Sequence, residues 1–213
     1  METLHADLIP YVTNGMIHHP LLIQLLPEDA AQINQLYRQK LDKLMQAKAA
    51  GDWSKYVILH ERPYRIDALL TAIDSGLSDE PSYYWEMVGN VWRGSENIYE
   101  NLDPWQRLWG SRIEGRHACM SVDDQSIFNS LPEQFEVWRG ASYKTGINGL
   151  SWTLNENKAA WYARRFRSRP NVPIVAKGTV LKRDVLAYFG ERHKSEIISQ
   201  RVSIVSMTEI GRE

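Results

Sequence analysis

The chain has 213 residues, of which 43% are hydrophobic and 24% charged, and its formal net charge is −1. These values are typical of a soluble globular protein with one large core or two small ones. The single cysteine, Cys119, excludes an internal disulfide and a cysteine-based metal site, so we expect a reducing compartment, by default the cytoplasm. No window approaches the roughly 20 apolar residues of a membrane span, and we expect neither a signal peptide nor a membrane anchor.

The charge is distributed unevenly along the chain. Residues 1–133 hold 11 basic and 19 acidic side chains, whereas residues 134–213 hold 14 basic and 7 acidic ones. Either the two parts attract one another, or the C-terminal part handles an anionic ligand. Charge alone does not choose between these interpretations.

Helical patterns dominate residues 1–131. The clearest helix follows Pro27, stops at Gly51 and has apolar residues at helical spacing, namely Ile33, Leu36, Tyr37, Leu41 and Leu44. Further helices are predicted at 64–75, 80–92, 105–112 and 123–130.

After Pro132 the pattern changes to short strands that are rich in β-branched and aromatic residues. The predicted strands are 135–138, 149–152, 173–180, 185–189, 196–199 and 202–210. One helix interrupts them, in "TLNENKAAWYARRF", where Thr153 or Asn155 can cap. We therefore predict an α+β protein with a helical region, 1–131, and a compact α+β region, 132–213, whose sheet needs the helices to cover one face.

The tetrapeptide VWRG occurs twice, at 91–94 and 137–140. The first copy ends a helical run, so its arginine is interpreted as a last-turn charge beside a glycine cap. The second copy ends a strand and precedes a polar loop containing Gly146 and Gly149. We expect this loop, together with Gly140, to bring backbone N–H groups close to an anion. The guanidinium of Arg139 suits a carboxylate or a phosphate.

Two further polar positions lie at strand ends. Ser151 and Thr153 are two residues apart, so both hydroxyls can face one cleft while Trp152 enters the core. Alternatively, Thr153 is only a helix cap and Ser151 a strand-end residue. Glu196 opens a later predicted strand; alone, it is better explained as a solvated edge residue.

An aromatic-Arg-Gly strand end, a Ser-x-Thr strand leading into a helix, and a Glu opening a later strand, in that order, resemble the R-S-E class of mono-ADP-ribosyltransferases. The resemblance covers roughly residues 135–210 and extends to small transferase-like proteins of phages and prophages. It implies an ADP-ribosyltransferase-like mixed β core in 132–213, with NAD⁺ as co-substrate. The N-terminal region would then cover the sheet, recognise the target or bind a neutralising partner protein.

The resemblance also implies roles for individual residues. Arg139 would hold the NAD⁺ phosphates or the adenine-side ribose, Ser151 would orient the catalytic glutamate and the nicotinamide ribose, and Glu196 would be that glutamate. Thr153 would support the next turn. An aromatic side chain would stack near the nicotinamide, and the loop after the helix would reach a phosphate; the candidates are Phe166, Trp161 and Tyr162 for the first role and Arg167 and Arg169 for the second.

One position departs from the pattern of that class. The class often has Glu or Gln two residues before the catalytic glutamate, and this chain has Lys194 there. Because a lysine cannot orient a guanidinium, arginine modification is disfavoured, and both nucleic acid and protein remain open as acceptors. An NAD⁺ glycohydrolase and an inactive transferase-like binding protein are the alternatives. No metal site is expected.

Overall fold

The computed structural model describes residues 2–165, 172–190 and 195–211, which form two compact units divided between Ile98 and Tyr99. The predicted division at 131/132 therefore differs from the division in the structure. Two helices predicted to belong to the N-terminal region are part of the second unit. No helix in the described ranges is long and apolar enough to cross a lipid bilayer.

The first unit combines a three-stranded antiparallel sheet with four helices. The strands are β1 (Val12–Thr13), β2 (Met16–His19) and β3 (Leu22–Leu25), in the order β1-β2-β3. The helices are α1 (Ala31–Ala49), α2 (Trp53–Leu59), α3 (Arg65–Asp74) and α4 (Pro81–Gly94). Apolar residues of the sheet and of α1 form a shared core that includes Leu8, Ile17, Leu22, Ile33 and Tyr37.

The small sheet corrects the prediction that residues 1–131 are helical. Its first turn has Asn14 at φ 52° and Gly15 at φ 75°. An Asn-Gly pair accepts positive φ at both positions, which is what a tight hairpin turn requires. The signal is therefore present in the sequence, but the strands on either side are too short to produce a clear alternating pattern.

The second unit is a six-stranded antiparallel sheet with three helices. Its strands are β4 (Gln134–Ala141), β5 (Ser151–Thr153), β6 (Ile174–Leu181), β7 (Val185–Phe189), β8 (Glu196–Ser199) and β9 (Ser203–Glu209), in the order β7-β8-β5-β4-β6-β9. Its helices are α5 (Leu102–Trp109), α6 (Val122–Ser130) and α7 (Glu156–Arg165). The predicted α+β class is confirmed, and each strand predicted after Pro132 is present, β7 and β8 with the predicted ends and the others with shifted ends.

Helix α7 packs on the sheet through small residues. Ala159 and Ala163 are fully buried and form a core cluster with Val175 of β6. A Cβ added to Gly140 would lie 1.8 Å from the carbonyl oxygen of Ala159. Only a glycine at this position lets the helix approach β4 so closely.

Helix α6 is tied to the same sheet by polar contacts. Asp124 accepts a hydrogen bond from the backbone N–H of Gly190 over 2.9 Å. Lys182 donates from Nζ to the carbonyl of Asn129 over 2.6 Å. These contacts place α6 with the sheet, in the unit that follows the division after Ile98.

Candidate active site

Arg139 lies where two neighbouring strands of the sheet separate. β4 pairs with β6 from Gln134 to Ala141, but the described residues of β4 and β5 pair at one position, Trp138 with Thr153. Beyond that pair the Arg139 side chain donates from Nε to the carbonyl of Gly146 over 3.0 Å and from Nη1 to the carbonyl of Ser151 over 2.5 Å. The guanidinium thus ties the loop after β4 to the start of β5.

The sequence does not predict these acceptors, and a ligand phosphate as a further partner of Arg139 stays a prediction. The sequence predicts a carboxylate or a phosphate as the partner of Arg139, whereas its hydrogen-bond acceptors in the described residues are two backbone carbonyls. Burial lowers the pKa of Arg139 to about 10, and the negative charge of Glu196 opposes that shift. The guanidinium therefore stays cationic at neutral pH.

Gly149 shapes the space around this guanidinium. A Cβ at Gly149 would lie 2.1 Å from Nη2 and 2.3 Å from Cζ of Arg139. The glycine is thus required by close approach to a side chain rather than by its backbone torsions. Among the described residues no acceptor is bonded to Nη2, so this nitrogen is the part of the fork that a ligand oxygen would meet.

Ser151 and Glu196 are joined directly. Ser151 Oγ donates to Glu196 Oε1 over 2.5 Å. In the β5–β8 register Ser151 pairs with Ile198 and Thr153 with Glu196, so the two side chains are diagonal neighbours on one face. Glu196 is 9% exposed, which corrects the alternative of a solvated edge residue.

The backbone beside Glu196 is unusual. Ser195 has φ 44°, a left-handed conformation that costs a non-glycine residue about 1–2 kcal/mol. Its carbonyl accepts from the N–H of Leu154 over 3.0 Å, which fixes the start of β8 to the end of β5. The chain therefore holds Glu196 beside Ser151 despite a local strain.

Thr153 has a structural role. Its Oγ1 accepts from the N–H of Asn155 over 3.1 Å, and Asn155 Oδ1 accepts from the N–H of Lys158 over 3.1 Å. Thr153 thus supports the turn into α7, as expected, while Asn155 provides the cap. The buried Thr153 also pairs with Glu196 in the sheet register; its contact with a cofactor stays a prediction.

Two aromatic residues of α7 lie side by side near this site. Burial raises the pKa of Tyr162, and the negative charge of Glu196 adds to that shift, so the phenol lies within electrostatic reach of the carboxylate. Trp161 forms an edge-to-face pair with Tyr162 at 5.0 Å and is 50% exposed. Of these two, Tyr162 is the one that the structure brings toward Glu196.

The structure places a tyrosine pair beside Arg139 that the sequence does not predict. Tyr99 and Tyr143 form an edge-to-face pair with ring centroids 5.8 Å apart, and the two residues are 49% and 36% exposed. Burial and the Tyr99 hydroxyl raise the pKa of Tyr143, while the charge of Arg139 opposes that shift. Tyr143 belongs to the polar loop singled out in the sequence, but nothing in the pattern connects it with a residue 44 positions earlier.

The remaining residues that the sequence singles out either have a structural role or lie outside the described residues. Gly140 is explained by the packing of α7, and its contact with a ligand stays a prediction. Phe166, Arg167, Arg169 and Lys194 lie outside the described residues. The first VWRG copy is structural, as predicted: Arg93 lies in the last turn of α4 and donates from Nε to the carbonyl of Gly89 over 3.3 Å.

Two surface clefts occur in the described part of the second unit, away from the Arg139 guanidinium. One, of about 590 Å³, lies between the ends of β4, β6 and β9, lined by Gln134, Leu181, Asp184, Arg201 and Ser203. The other, of about 560 Å³, lies along α7.

The arrangement brings together a buried cation, a hydroxyl and a carboxylate. Ser151 contacts both of the others, through its carbonyl to Arg139 and through its hydroxyl to Glu196. Such a set can bind an anion and stabilise a positive charge that develops next to it. No family model, curated protein or solved structure matches the chain.

Proposed function

We propose that this protein is an NAD⁺-dependent mono-ADP-ribosyltransferase, with Glu196 as its catalytic residue. The observation that supports the proposal most is the hydrogen bond from Ser151 to Glu196, 45 positions apart in the chain, next to the buried guanidinium of Arg139. The resemblance in the sequence concerns these same three residues, in the same order. The single cysteine, Cys119, is buried and forms no disulfide, which fits a cytoplasmic location.

The described residues are chemically suited to NAD⁺. The dinucleotide carries two phosphates, and Nη2 of Arg139 offers a charged donor to a phosphate or ribose oxygen. Tyr143, which pairs edge to face with Tyr99, lies within electrostatic reach of that guanidinium, and Tyr162 lies within electrostatic reach of the carboxylate. A flat ring at either end of the dinucleotide can stack on such side chains.

Glu196 would act on the bond between the nicotinamide nitrogen and C1′ of its ribose. As that bond breaks, its electron pair stays on the nitrogen and positive charge develops on the ribose. A carboxylate beside the ribose 2′-hydroxyl stabilises this charge more than it stabilises bound NAD⁺, which is what raises the rate. An acceptor lone pair then forms the new bond to C1′, and the acceptor proton is released to a base.

Ser151 would keep the carboxylate in place during this step. Its hydroxyl donates to Oε1 and so fixes the orientation of the carboxylate that would meet the ribose. Arg139 would anchor the phosphates on the other side of the same serine. The acceptor would be a macromolecule, either protein or nucleic acid, and the helices of residues 31–94 would recognise it or bind a neutralising partner.

The test uses NAD⁺ labelled in its adenylate part, a whole-cell lysate and the full chain. We expect nicotinamide release together with transfer of the label to material that is removed by protease or by nuclease. Glu196→Gln is expected to lower nicotinamide release by at least about 100-fold. Its matched control is Glu136→Gln, since Glu136 lies on the exposed side of β4 in an ion pair with Lys177 and is expected to keep full activity.

The outcomes separate the alternatives. Nicotinamide release without label transfer would indicate an NAD⁺ glycohydrolase that uses the same site. No release by the native chain, with any lysate fraction, would indicate a binding protein and overturn the proposal. Equal release by the native chain and Glu196→Gln would overturn the assignment of the glutamate.

A further inference from the structure

The outer face of α7 combines an exposed aromatic ring with cations. Trp161 is 50% exposed. Lys158 Nζ lies 4.8 Å from the centre of its ring, and Arg165 Cζ lies 5.5 Å from it. Because these residues precede and follow Trp161 by three and four positions, they flank the indole along one face of the helix.

A cleft runs along the same face. It has a volume of about 560 Å³ and is lined by Asn157, Ala160, Trp161, Arg164 and Arg165. Arg164 is held in place by a bond from Nε to the carbonyl of Gly211 over 3.1 Å. An oriented arginine, a second arginine and an indole thus border one open groove.

The groove is connected to the proposed catalytic carboxylate through one residue. Tyr162 contacts Trp161 edge to face and is close enough to Glu196 for the carboxylate charge to affect its phenol. Lys158 Nζ also lies 5.7 Å from the ring of Tyr162. A polymer that occupies the groove would lie along a helix that begins three residues after Thr153, the register partner of Glu196.

The chemistry of this face favours single-stranded nucleic acid. Exposed aromatic rings stack with unpaired bases, and arginine and lysine beside them meet the phosphates of the same strand. A duplex hides its base faces, and an acidic peptide has no flat ring to match the indole. Residues 134–213 as a whole carry 14 basic and 7 acidic side chains, and this net positive charge attracts a polyanion.

We propose that the outer face of α7, defined by Lys158, Trp161, Arg164 and Arg165, binds single-stranded nucleic acid and presents it as the acceptor of ADP-ribose. The inference of an acceptor rests on the proposed function; the binding itself does not. Transfer would join a hydroxyl or a base nitrogen of the strand to C1′ of the ribose, with loss of one proton from the strand and of nicotinamide from NAD⁺.

Binding is tested by fluorescence anisotropy with the full chain and a fluorescein-labelled 15-nucleotide RNA of mixed sequence, and with the DNA of the same sequence. We expect saturable binding that weakens as salt is raised. Trp161→Ala is expected to weaken it by about 10-fold or more, and Trp161→Phe to restore most of the affinity. Arg165→Glu is expected to weaken binding and to reduce its dependence on salt.

The matched control for the charge reversal is Arg183→Glu. Arg183 is exposed and lies two residues after Leu181. Leu181 pairs with Gln134 at one end of β4, whereas Gly140, which contacts α7, lies near the other end. We expect this variant to bind the oligonucleotide as the native chain does. Thermal unfolding of each variant confirms that an exposed substitution has left the fold intact.

Other outcomes would overturn the proposal. No binding by the native chain, or equal affinity in the native chain and Trp161→Ala, would remove α7 as the binding face. Competition by poly-glutamate as effective as competition by unlabelled RNA would point to an acidic protein instead. Binding of the RNA without nicotinamide release would support the surface and overturn the transferase, so the two failures are distinguishable.

Discussion

Ser151 on β5 donates its hydroxyl proton to Glu196 on β8 while its backbone carbonyl accepts from the guanidinium of Arg139. One serine therefore connects the proposed anion-binding cation with the proposed catalytic carboxylate. The connection uses both the main chain and the side chain of the residue, so substitutions can separate the two.

Substitution of Ser151 by alanine removes the hydroxyl and keeps the carbonyl. A hydrogen bond to a charged group contributes about 1.5–3 kcal/mol, so we expect nicotinamide release to fall by about 10- to 150-fold. The KM for NAD⁺ should change little, since Arg139 keeps its acceptor. Steady-state kinetics of Ser151→Ala, Ser151→Thr and the exposed control Ser203→Ala check this, and an unchanged kcat in Ser151→Ala would contradict it.

Substitution of Gly149 by alanine should act on NAD⁺ binding. The added Cβ would overlap Arg139 at Nη2 and Cζ, and the guanidinium is the movable end of a flexible side chain. We expect the fold to survive and the KM for NAD⁺ to rise by about 10-fold or more, because a displaced guanidinium loses its geometry toward the phosphate.

The control for this substitution is Gly211→Ala. No atom lies within 4 Å of the Cβ that would be added there, and its backbone torsions are ordinary. Equal KM values for NAD⁺ in the two variants would show that the space around Arg139 does not matter for binding.

Substitution of Gly140 by alanine should instead destabilise the second unit. Its Cβ would collide with the backbone of Ala159 and Ala163, and neither can move without shifting α7. Overpacking of this kind costs about 1–3 kcal/mol, so the urea midpoint should fall clearly below that of Gly149→Ala. A midpoint equal to that of the native chain would mean that α7 does not pack on β4 as described.

The stability of the first unit should depend on pH through His19. Burial lowers the pKa of His19 below 6.5, with the charge of Asp7 opposing the shift. Its Nδ1 accepts from the N–H of Leu21 over 3.1 Å, which requires that nitrogen to be unprotonated. Below pH 6.5 the unfolded chain binds more protons at this residue than the folded chain, so stability is retained above pH 6.5 and lost as the pH falls.

Urea unfolding at pH 7.5 and pH 5.0 measures this effect. Between the two pH values, the free energy of unfolding is expected to fall more in the native chain than in His19→Gln, because glutamine does not titrate. His18→Gln is the neighbouring control and should retain the full loss. An equal loss in the native chain and His19→Gln would contradict the assignment.

Much of the second unit could be predicted from the sequence because its strands carry strong local signals. The strand Val185–Phe189 and the strand Glu196–Ser199 have the predicted ends, and the helix Glu156–Arg165 lies within its predicted segment. The strands Val12–Thr13 and Met16–His19 were not predicted, since two to four residues show too little alternation.

The residues of the candidate site could be predicted from the sequence, but the contacts between them could not. Arg139, Ser151 and Glu196 were chosen for their chemistry and order, and the structure brings them together. The carbonyls of Gly146 and Ser151 that hold the guanidinium leave no signal in a sequence, because every residue has a carbonyl. The pairing of Tyr143 with Tyr99 depends on tertiary packing and could not be predicted either.

The carbonyl partners of Arg139 have an energetic consequence. A guanidinium bound to a carboxylate must exchange that partner before it can bind an incoming anion, whereas the two neutral carbonyls orient Arg139 without a partner exchange. The guanidinium is therefore held in a fixed orientation at the gap between β4 and β5, with little reorganisation left for the moment of binding.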